Sequence, residues 1–99
     1  MRLERNRNTV TVYLEGEMDH CSAQQIRRML DQSIQESDIK NMVLDMREMS
    51  FMDSSGIGVI LGRYKVLRSR GGKLTVRNMN RQVEKVFKLS GMDQIIDIE

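Results

Sequence analysis

The first part of the chain alternates hydrophobic and polar residues with the period of a β-strand. The run TVTVYLE, which begins at Thr9, places Val10, Val12 and Leu14 on one side. This pattern predicts a strand with one buried face. A shorter strand is predicted over residues 2–5, with a turn at residues 6–8.

A helical period follows over residues 22–36. Ser22 precedes Gln25 by three residues, which is a capping-box pattern, and Cys21 and Ile26 are placed to form the accompanying hydrophobic staple. The apolar residues of this segment recur every three or four positions, so one face should lie on the core. That face comprises Ala23, Ile26, Leu30 and Ile34.

The rest of the chain repeats the alternation of strand and helix. Strands are predicted over residues 39–46, 73–77 and 95–98. A second helix should begin at Asp53 or Ser54 and end before Gly71, and a third should be capped by Asn78 or Asn80 and end at Gly91. The order β-β-α-β-α-β-α-β predicts a single α/β domain, residues 1–99, with a mixed, largely parallel sheet of four or five strands and about three helices. The continuous hydrophobicity of residues 42–44 predicts a central strand covered by helices on both faces.

Composition narrows the classes of function. The 16 Lys and Arg residues, set against 14 Asp and Glu, give a net charge of +2 and are dispersed, a pattern not typical of nucleic-acid binding. A lone cysteine, Cys21, forms no internal disulfide, and the sequence has no apolar run long enough to span a membrane. We therefore expect a soluble, cytoplasmic protein that is monomeric when free and does not bind a membrane.

The segment FMDSSGIGVILGRYK, residues 51–65, carries the candidate chemistry. It lacks the GxSxG spacing of a nucleophile elbow, and its glycines match neither a dinucleotide fingerprint nor a phosphate-binding loop. The single histidine, His20, and Cys21 are too few for a zinc site without several carboxylates from elsewhere. We expect no catalytic residue, no metal site and no cofactor in this chain.

A helical projection separates the two serines of this segment. Asp53 is a good N-cap, and Ser54 projects nearer to the expected core face, formed by Ile57, Ile60, Leu61, Tyr64 and Leu67. Ser55 projects to the opposite side. It heads a stripe of small and apolar residues there, with Arg63 at its border and able to pair with an acidic partner residue. The stripe, Ser55, Val59, Gly62 and Val66, predicts a docking surface, unless the final strand or an end segment covers it.

Phosphorylation of Ser55 would add about −1.5 to −2 charges at a helix N-terminus, where the helix dipole and free N–H groups favour an anion. The same charge in the middle of an apolar interface would oppose docking. The pattern therefore predicts a binding switch that leaves the domain folded.

The segment strongly resembles the signature of the bacterial anti-sigma factor antagonists, which have a STAS domain, and especially of the sporulation antagonists. The resemblance extends to LEGEMDH at residues 14–20, NMVLDM at residues 41–46 and KVFKLSGM at residues 85–92. Members of this family commonly continue into a C-terminal helix, whereas this sequence stops at Glu99. Either the surface that such a helix covers is exposed, or the chain is shortened.

The resemblance implies a protein that binds an anti-sigma factor kinase and thereby releases the sigma factor. It implies that the kinase, which supplies ATP and Mg²⁺, inactivates this protein by phosphorylating Ser55, and that a serine phosphatase restores the hydroxyl. Asp19, in the loop after the second strand, is implied to meet a basic residue of the kinase. The expected partner-binding residues are Asp19, His20, Ser54, Ser55, Gly56, Val59, Gly62, Arg63 and Val66.

Two other functions remain open from the sequence. A STAS module could bind a small anion, a nucleotide or a lipid at the N-terminus of the second helix. Alternatively, it could be a structural component of a larger signalling assembly. A hydrolase or phosphatase is the least favoured, because no base is placed to activate a serine.

Overall fold

The computed structural model describes residues 1–99. Five strands and three helices alternate as predicted, and a short 3₁₀ turn precedes the last strand. The elements are β1 (Arg2–Asn6), β2 (Thr9–Met18), α1 (Ala23–Ser33), β3 (Asn41–Met52), α2 (Ser54–Ser69), β4 (Leu74–Arg77), α3 (Arg81–Ser90), the 3₁₀ turn (Met92–Gln94) and β5 (Asp97–Ile98).

The strands form one mixed sheet in the order β1-β2-β3-β4-β5, so the prediction that β3 is central is confirmed. β1 pairs with β2 in antiparallel orientation, and the other three pairings are parallel. Because each crossover from β2 to β5 advances one strand in the same direction, and such crossovers are right-handed, all three helices lie on one face of the sheet. The α/β fold with a largely parallel sheet is therefore confirmed.

The core lies between that face and the helices. Rows of neighbouring residues across the sheet, such as Val12, Leu44 and Val76, are buried there with Leu30 and Phe87 of the helices. The sequence prediction that helices cover both faces was wrong. Val43 lies on the opposite face and is only half-buried, because all crossovers have the same hand.

The opposite face carries a buried acidic group, Asp45. Burial raises the pKa of its carboxyl, but hydrogen bonds from the Arg47 N–H, from Arg77 Nε and from Asn78 Nδ2, each 3.0 Å long, outweigh burial. The pKa of Asp45 is therefore below its ordinary value. This cluster fixes the carboxylate between β3, β4 and the residue after β4.

α1 differs from its prediction at both ends. Ser22 does not form the capping box. Its Oγ instead donates to the carbonyl of Glu17 at 2.7 Å, and its side chain makes no cap hydrogen bond to α1. The helix also ends at Ser33 instead of residue 36, and the carbonyl of Ile34 accepts a 2.7 Å hydrogen bond from Arg70 Nη1. A long-range partner thus replaces the last turn that periodicity predicted.

Two of the strands, β3 and β5, also differ from their predictions. β3 continues to Met52, six residues past the predicted end, because β2 keeps pairing with it through two register shifts. β5 is shorter than predicted, because the backbone N–H groups of Ile95 and Ile96 donate to the carbonyl of Met92, at 3.2 and 3.0 Å, and not to a neighbouring strand. α3 has the expected ends. Val83 N donates to Asn80 Oδ1 at 2.9 Å, and Gly91 has a left-handed φ of 80°.

Candidate functional site

The first turn of α2 is positioned by the end of β3. Asp53 follows β3 directly and has an extended backbone, and its Oδ1 accepts a 2.8 Å hydrogen bond from Ser55 N. This contact satisfies one of the N–H groups that a helix leaves free at its start. Asp53 is therefore the N-cap of α2, and it places the two serines at the carboxyl edge of the parallel strands.

The loop after β2 lies beside this helix start. Met18 pairs with Met52 across the two strands, and the backbone N–H of Asp53 donates to the carbonyl of Met18 at 3.2 Å. Asp19 and His20 follow Met18 directly. The parallel sheet therefore brings the loop with Asp19 next to the serine segment, although the two lie more than thirty residues apart in sequence.

The loop is held by the carboxylate of Asp19. Its Oδ1 accepts from Ser22 N and from Cys21 N, both at 3.0 Å, and Asp19 N donates to Ser22 Oγ at 3.0 Å. The hydrogen bond from the Ser22 backbone lowers the pKa of Asp19 most, and Asp19 is therefore a carboxylate at neutral pH. Its Oδ2 makes no intramolecular hydrogen bond, and His20 is exposed beside it. One carboxylate oxygen is therefore free to meet a partner.

The helical projection assigned the wrong exposures to the two serines. Ser54 is exposed, whereas Ser55 is half-buried and faces α1. The projection failed because α2 is apolar on most of its circumference, with α1 and α3 packing on its flanks. The residues of α2 that are fully buried are Gly56, Val59, Ile60, Arg63 and Leu67.

The predicted docking stripe is not an open surface. Val59 is only 8% exposed, and Val66 is half-buried against the core. Gly56 is also buried, and a Cβ on it would lie 2.7 Å from Met52 Cγ. The apolar residues of the stripe are therefore covered, and α1 packs beside α2.

Ser55 instead lies at one end of a groove between α1 and α2, with a volume of ≈ 360 Å³. Gly58 and Gly62 have no side chain to fill the groove. A Cβ added to either would meet no atom within 4 Å, so the groove is open beside them. We refer to this feature as the α1–α2 groove. Its lining residues are Ala23, Gln24 and Arg27 of α1 and Ser55, Gly58, Val59, Gly62 and Arg63 of α2.

Arg63 is buried in this groove, although the sequence predicted it at a surface border. It is 6% exposed, and its Nε lies 3.1 Å from Asp31 Oδ1. The contact is an ion pair without hydrogen-bond geometry, and the buried Nε and Nη1 have no hydrogen-bond acceptor. Burial lowers the pKa of Arg63, Asp31 raises it, and the neighbouring Arg27 lowers it. The guanidinium is thus charged and incompletely paired.

Sequence reasoning missed the contribution of α1 to this site. Gln24 and Arg27 lie outside the core face predicted for this helix, and they line the groove beside α2. The available signal was the topology: consecutive right-handed crossovers place α1 and α2 side by side. The polar face of α1 therefore lies beside the glycines of α2.

The site presents a hydroxyl rather than a catalytic array. Neither the Ser54 nor the Ser55 hydroxyl takes part in the hydrogen-bond network, and the Oδ1 of Asp53 is bonded to the helix backbone. No group of three or more His, Cys, Asp and Glu side chains is arranged to hold a metal ion. None of the helices is both long and apolar enough to cross a membrane. The arrangement presents two serine hydroxyls, both free of hydrogen bonds, in the first turn of α2.

Comparison with known proteins agrees with this architecture. The chain is 38% identical over 98 residues to the anti-sigma F factor antagonist of Paenibacillus polymyxa, with 99% of this chain and 84% of the relative covered. The unphosphorylated anti-sigma factor antagonist SpoIIAA has a similar structure, with 31% identity, a TM-score of 0.77, and coverage of 99% and 86%.

A third relative is the Bacillus cell fate determinant SpoIIAA in its phosphorylated form. It shares 33% identity, with a TM-score of 0.76, and 99% of this chain and 89% of the relative are covered. The family model described as the STAS domain matches residues 1–99. This chain therefore belongs to the STAS domain family.

Proposed function

We propose that this protein is an anti-sigma factor antagonist that is switched off by phosphorylation of Ser55. In its unmodified form it binds an anti-sigma factor with kinase activity, and the bound sigma factor is released. The kinase then transfers the γ-phosphoryl group of ATP to Ser55 Oγ. ADP leaves, and the serine proton passes to a base of the kinase. This chain is the substrate and ligand in that reaction, not the enzyme.

The observation that carries the proposal is the position of Ser55. Its hydroxyl is free of hydrogen bonds and lies in the first turn of α2, beside the loop that holds Asp19. The first turn of a helix has free N–H groups and the positive end of the dipole, so it accepts a phosphoryl group without unfolding. The structures of SpoIIAA in unphosphorylated and phosphorylated forms support such a modification in this family.

The same geometry supports a partner surface around the serines. Ser54 and His20 are exposed, and the free oxygen of Asp19 can accept from a basic residue of the kinase. We propose that Asp19, His20, Ser54 and Ser55 form the contact, and that Gly62 lies at its edge. A phosphoryl group of about −1.5 to −2 charges in this surface would be desolvated beside Asp19 and would oppose docking.

The phosphorylation site is tested with the cognate anti-sigma factor kinase and ATP, followed by peptide mass spectrometry. The wild type and Ser54→Ala should acquire one phosphate on the peptide that contains residue 55, and Ser55→Ala should acquire none. The adjacent serine serves as the matched control, because both hydroxyls lie in the same helical turn. Undiminished labelling of Ser55→Ala would refute the assignment.

The switch is tested separately with Ser55→Asp. We expect weaker binding to the kinase by at least about tenfold, since one buried unpaired charge costs more than about 1.4 kcal/mol. The Tm should stay close to that of the wild type, because the N-terminus of α2 tolerates a negative charge. A large fall in Tm would show that loss of folding, rather than repulsion at the interface, weakens binding.

We further propose that a serine phosphatase restores the hydroxyl and that the protein acts in the cytoplasm as a monomer. ATP and Mg²⁺ belong to the kinase. A pull-down from the source cells with and without ATP, compared between wild type and Ser55→Ala, tests these partners. The kinase should be retained by Ser55→Ala in both conditions.

A further inference from the structure

The α1–α2 groove contains more positive than negative charge. Arg27 enters it from α1 and Arg63 from α2, and one carboxylate, Asp31, serves both. Asp31 Oδ1 lies 3.1 Å from Arg63 Nε, and Asp31 Oδ2 lies 3.9 Å from Arg27 Nε. Because two guanidinium groups share one half-exposed carboxylate, about one positive charge is not neutralised and can attract another anion.

Arg63 also lacks hydrogen-bond acceptors. Its side chain is 7% exposed, and neither Nε nor Nη1, both buried, donates to any oxygen. Its Nη2 likewise makes no hydrogen bond and is not among the fully buried nitrogens. Leaving buried donors without acceptors is destabilising, and more so for charged groups. An oxyanion with several oxygens would supply the hydrogen-bond acceptors that the Arg63 guanidinium lacks.

The hydroxyl of Ser55 and both arginines line the same groove. α1 and α2 both return from the carboxyl ends of parallel strands, so they run in the same general direction, with Asp31 level with Arg63. Arg27 lies four residues before Asp31, about 6 Å along the axis, and Ser55 lies eight residues before Arg63, about 12 Å. Both guanidinium groups lie at Asp31, and both arginines line the same groove as Ser55.

The space between these groups is empty. Gly58 and Gly62 line the groove between Ser55 and Arg63, and a Cβ on either would meet no atom within 4 Å. A phosphoryl group on Ser55 can therefore enter the groove without displacing packed atoms beside these glycines.

We propose that the α1–α2 groove is an intramolecular receptor for the phosphoryl group of phospho-Ser55, with Arg27 as the nearer guanidinium and Arg63 as the second. This inference rests on the proposed function, in which Ser55 is the modified residue. Phosphorylation then does more than repel a partner. The phosphate on Ser55 occupies the α1–α2 groove and is held against α1.

The test uses phosphoserine incorporated at position 55 during synthesis, so that it does not depend on any kinase. The second pKa of the phosphate is read by ³¹P NMR titration. In the wild type it should fall from about 6 to about 5, because the guanidinium groups stabilise the dianion. Arg27→Gln should move it back toward 6.

The matched control is Arg28→Gln, which removes an equal charge from an exposed position of α1 outside the groove. It should leave the phosphate pKa as in the wild type. Arg63→Lys keeps the buried charge but removes the planar donor set, and it should raise the phosphate pKa if the variant folds. Arg27 is exposed, so Arg27→Gln gives a result even if Arg63 variants do not fold.

A phosphate pKa near 6 in the wild type would overturn the proposal. So would equal pKa values in Arg27→Gln and Arg28→Gln, since the helix dipole alone would then account for any lowering. If the kinase fails to modify Ser55, the proposed function fails instead, whereas this titration is unaffected. The two failures are therefore distinguishable.

Discussion

Replacing Gly58 and Gly62 by alanine should make the domain more stable. Both glycines lie inside α2 without a positive φ, and a Cβ on either meets no atom within 4 Å. Alanine is favoured over glycine in a helix interior by about 0.8–1.0 kcal/mol. The double variant should therefore gain about 1.6–2.0 kcal/mol in the free energy of unfolding. For a domain of this size the Tm should rise by about 6–16 °C.

The assay is thermal and urea denaturation followed by far-UV circular dichroism. Gly56→Ala is the matched control, because it adds the same methyl group to the same helix where a Cβ would lie 2.7 Å from Met52 Cγ. It should gain nothing or lose stability. A Tm of Gly58→Ala at or below that of the wild type would refute the reasoning, since it would show that the groove side of α2 is packed rather than open.

Three further predictions concern the N-cap of α2 and two positions elsewhere in the fold. Gly72→Ala should cost at least about 3 kcal/mol in urea denaturation, because its Cβ would lie 1.5 Å from the Lys40 carbonyl oxygen. Asp53→Ala should cost about 1 kcal/mol and Asp53→Asn much less, since both Asp and Asn cap helices, and equal losses would contradict the capping role. Asp45 has a folded pKa below its unfolded value, so its stabilising effect is present above about pH 4 and is lost as the pH falls through the folded pKa. Asp45→Asn should therefore flatten the acid limb of a stability-versus-pH curve measured by urea denaturation.

The order of elements follows from the sequence because most segments carry a local signal. Strand alternation around Val12, the cap at Asn80 and the glycine after α3 each act within a few residues, and the structure contains all three features. The extra length of β3 has no such signal. Residues 47–52 are strand because β2 pairs with them after register shifts, and pairing is a long-range effect.

The site was harder to predict than the fold. The position of Ser55 at the start of α2 follows from a motif and a cap, both of which are local. The exposure of Ser55 does not follow from a local signal. α2 lies between two helices, and the apolar residues of α2 point in most directions. A helical projection assumes one buried face, and it therefore exchanged the exposures of Ser54 and Ser55. The role of Arg27 required knowing which helix packs beside α2.

Several features of the α1–α2 groove destabilise the fold. Two glycines inside α2 cost about 0.8–1.0 kcal/mol each, and the buried nitrogens of Arg63 have no acceptor. Elsewhere the buried charge of Asp45 is fully hydrogen-bonded and the core is apolar. These destabilising features occur together in one groove, beside the serine hydroxyl. Such a combination is expected where function opposes stability. Filling the groove with methyl groups and filling it with a phosphate should therefore both stabilise the fold, but only the phosphate does so through the arginines.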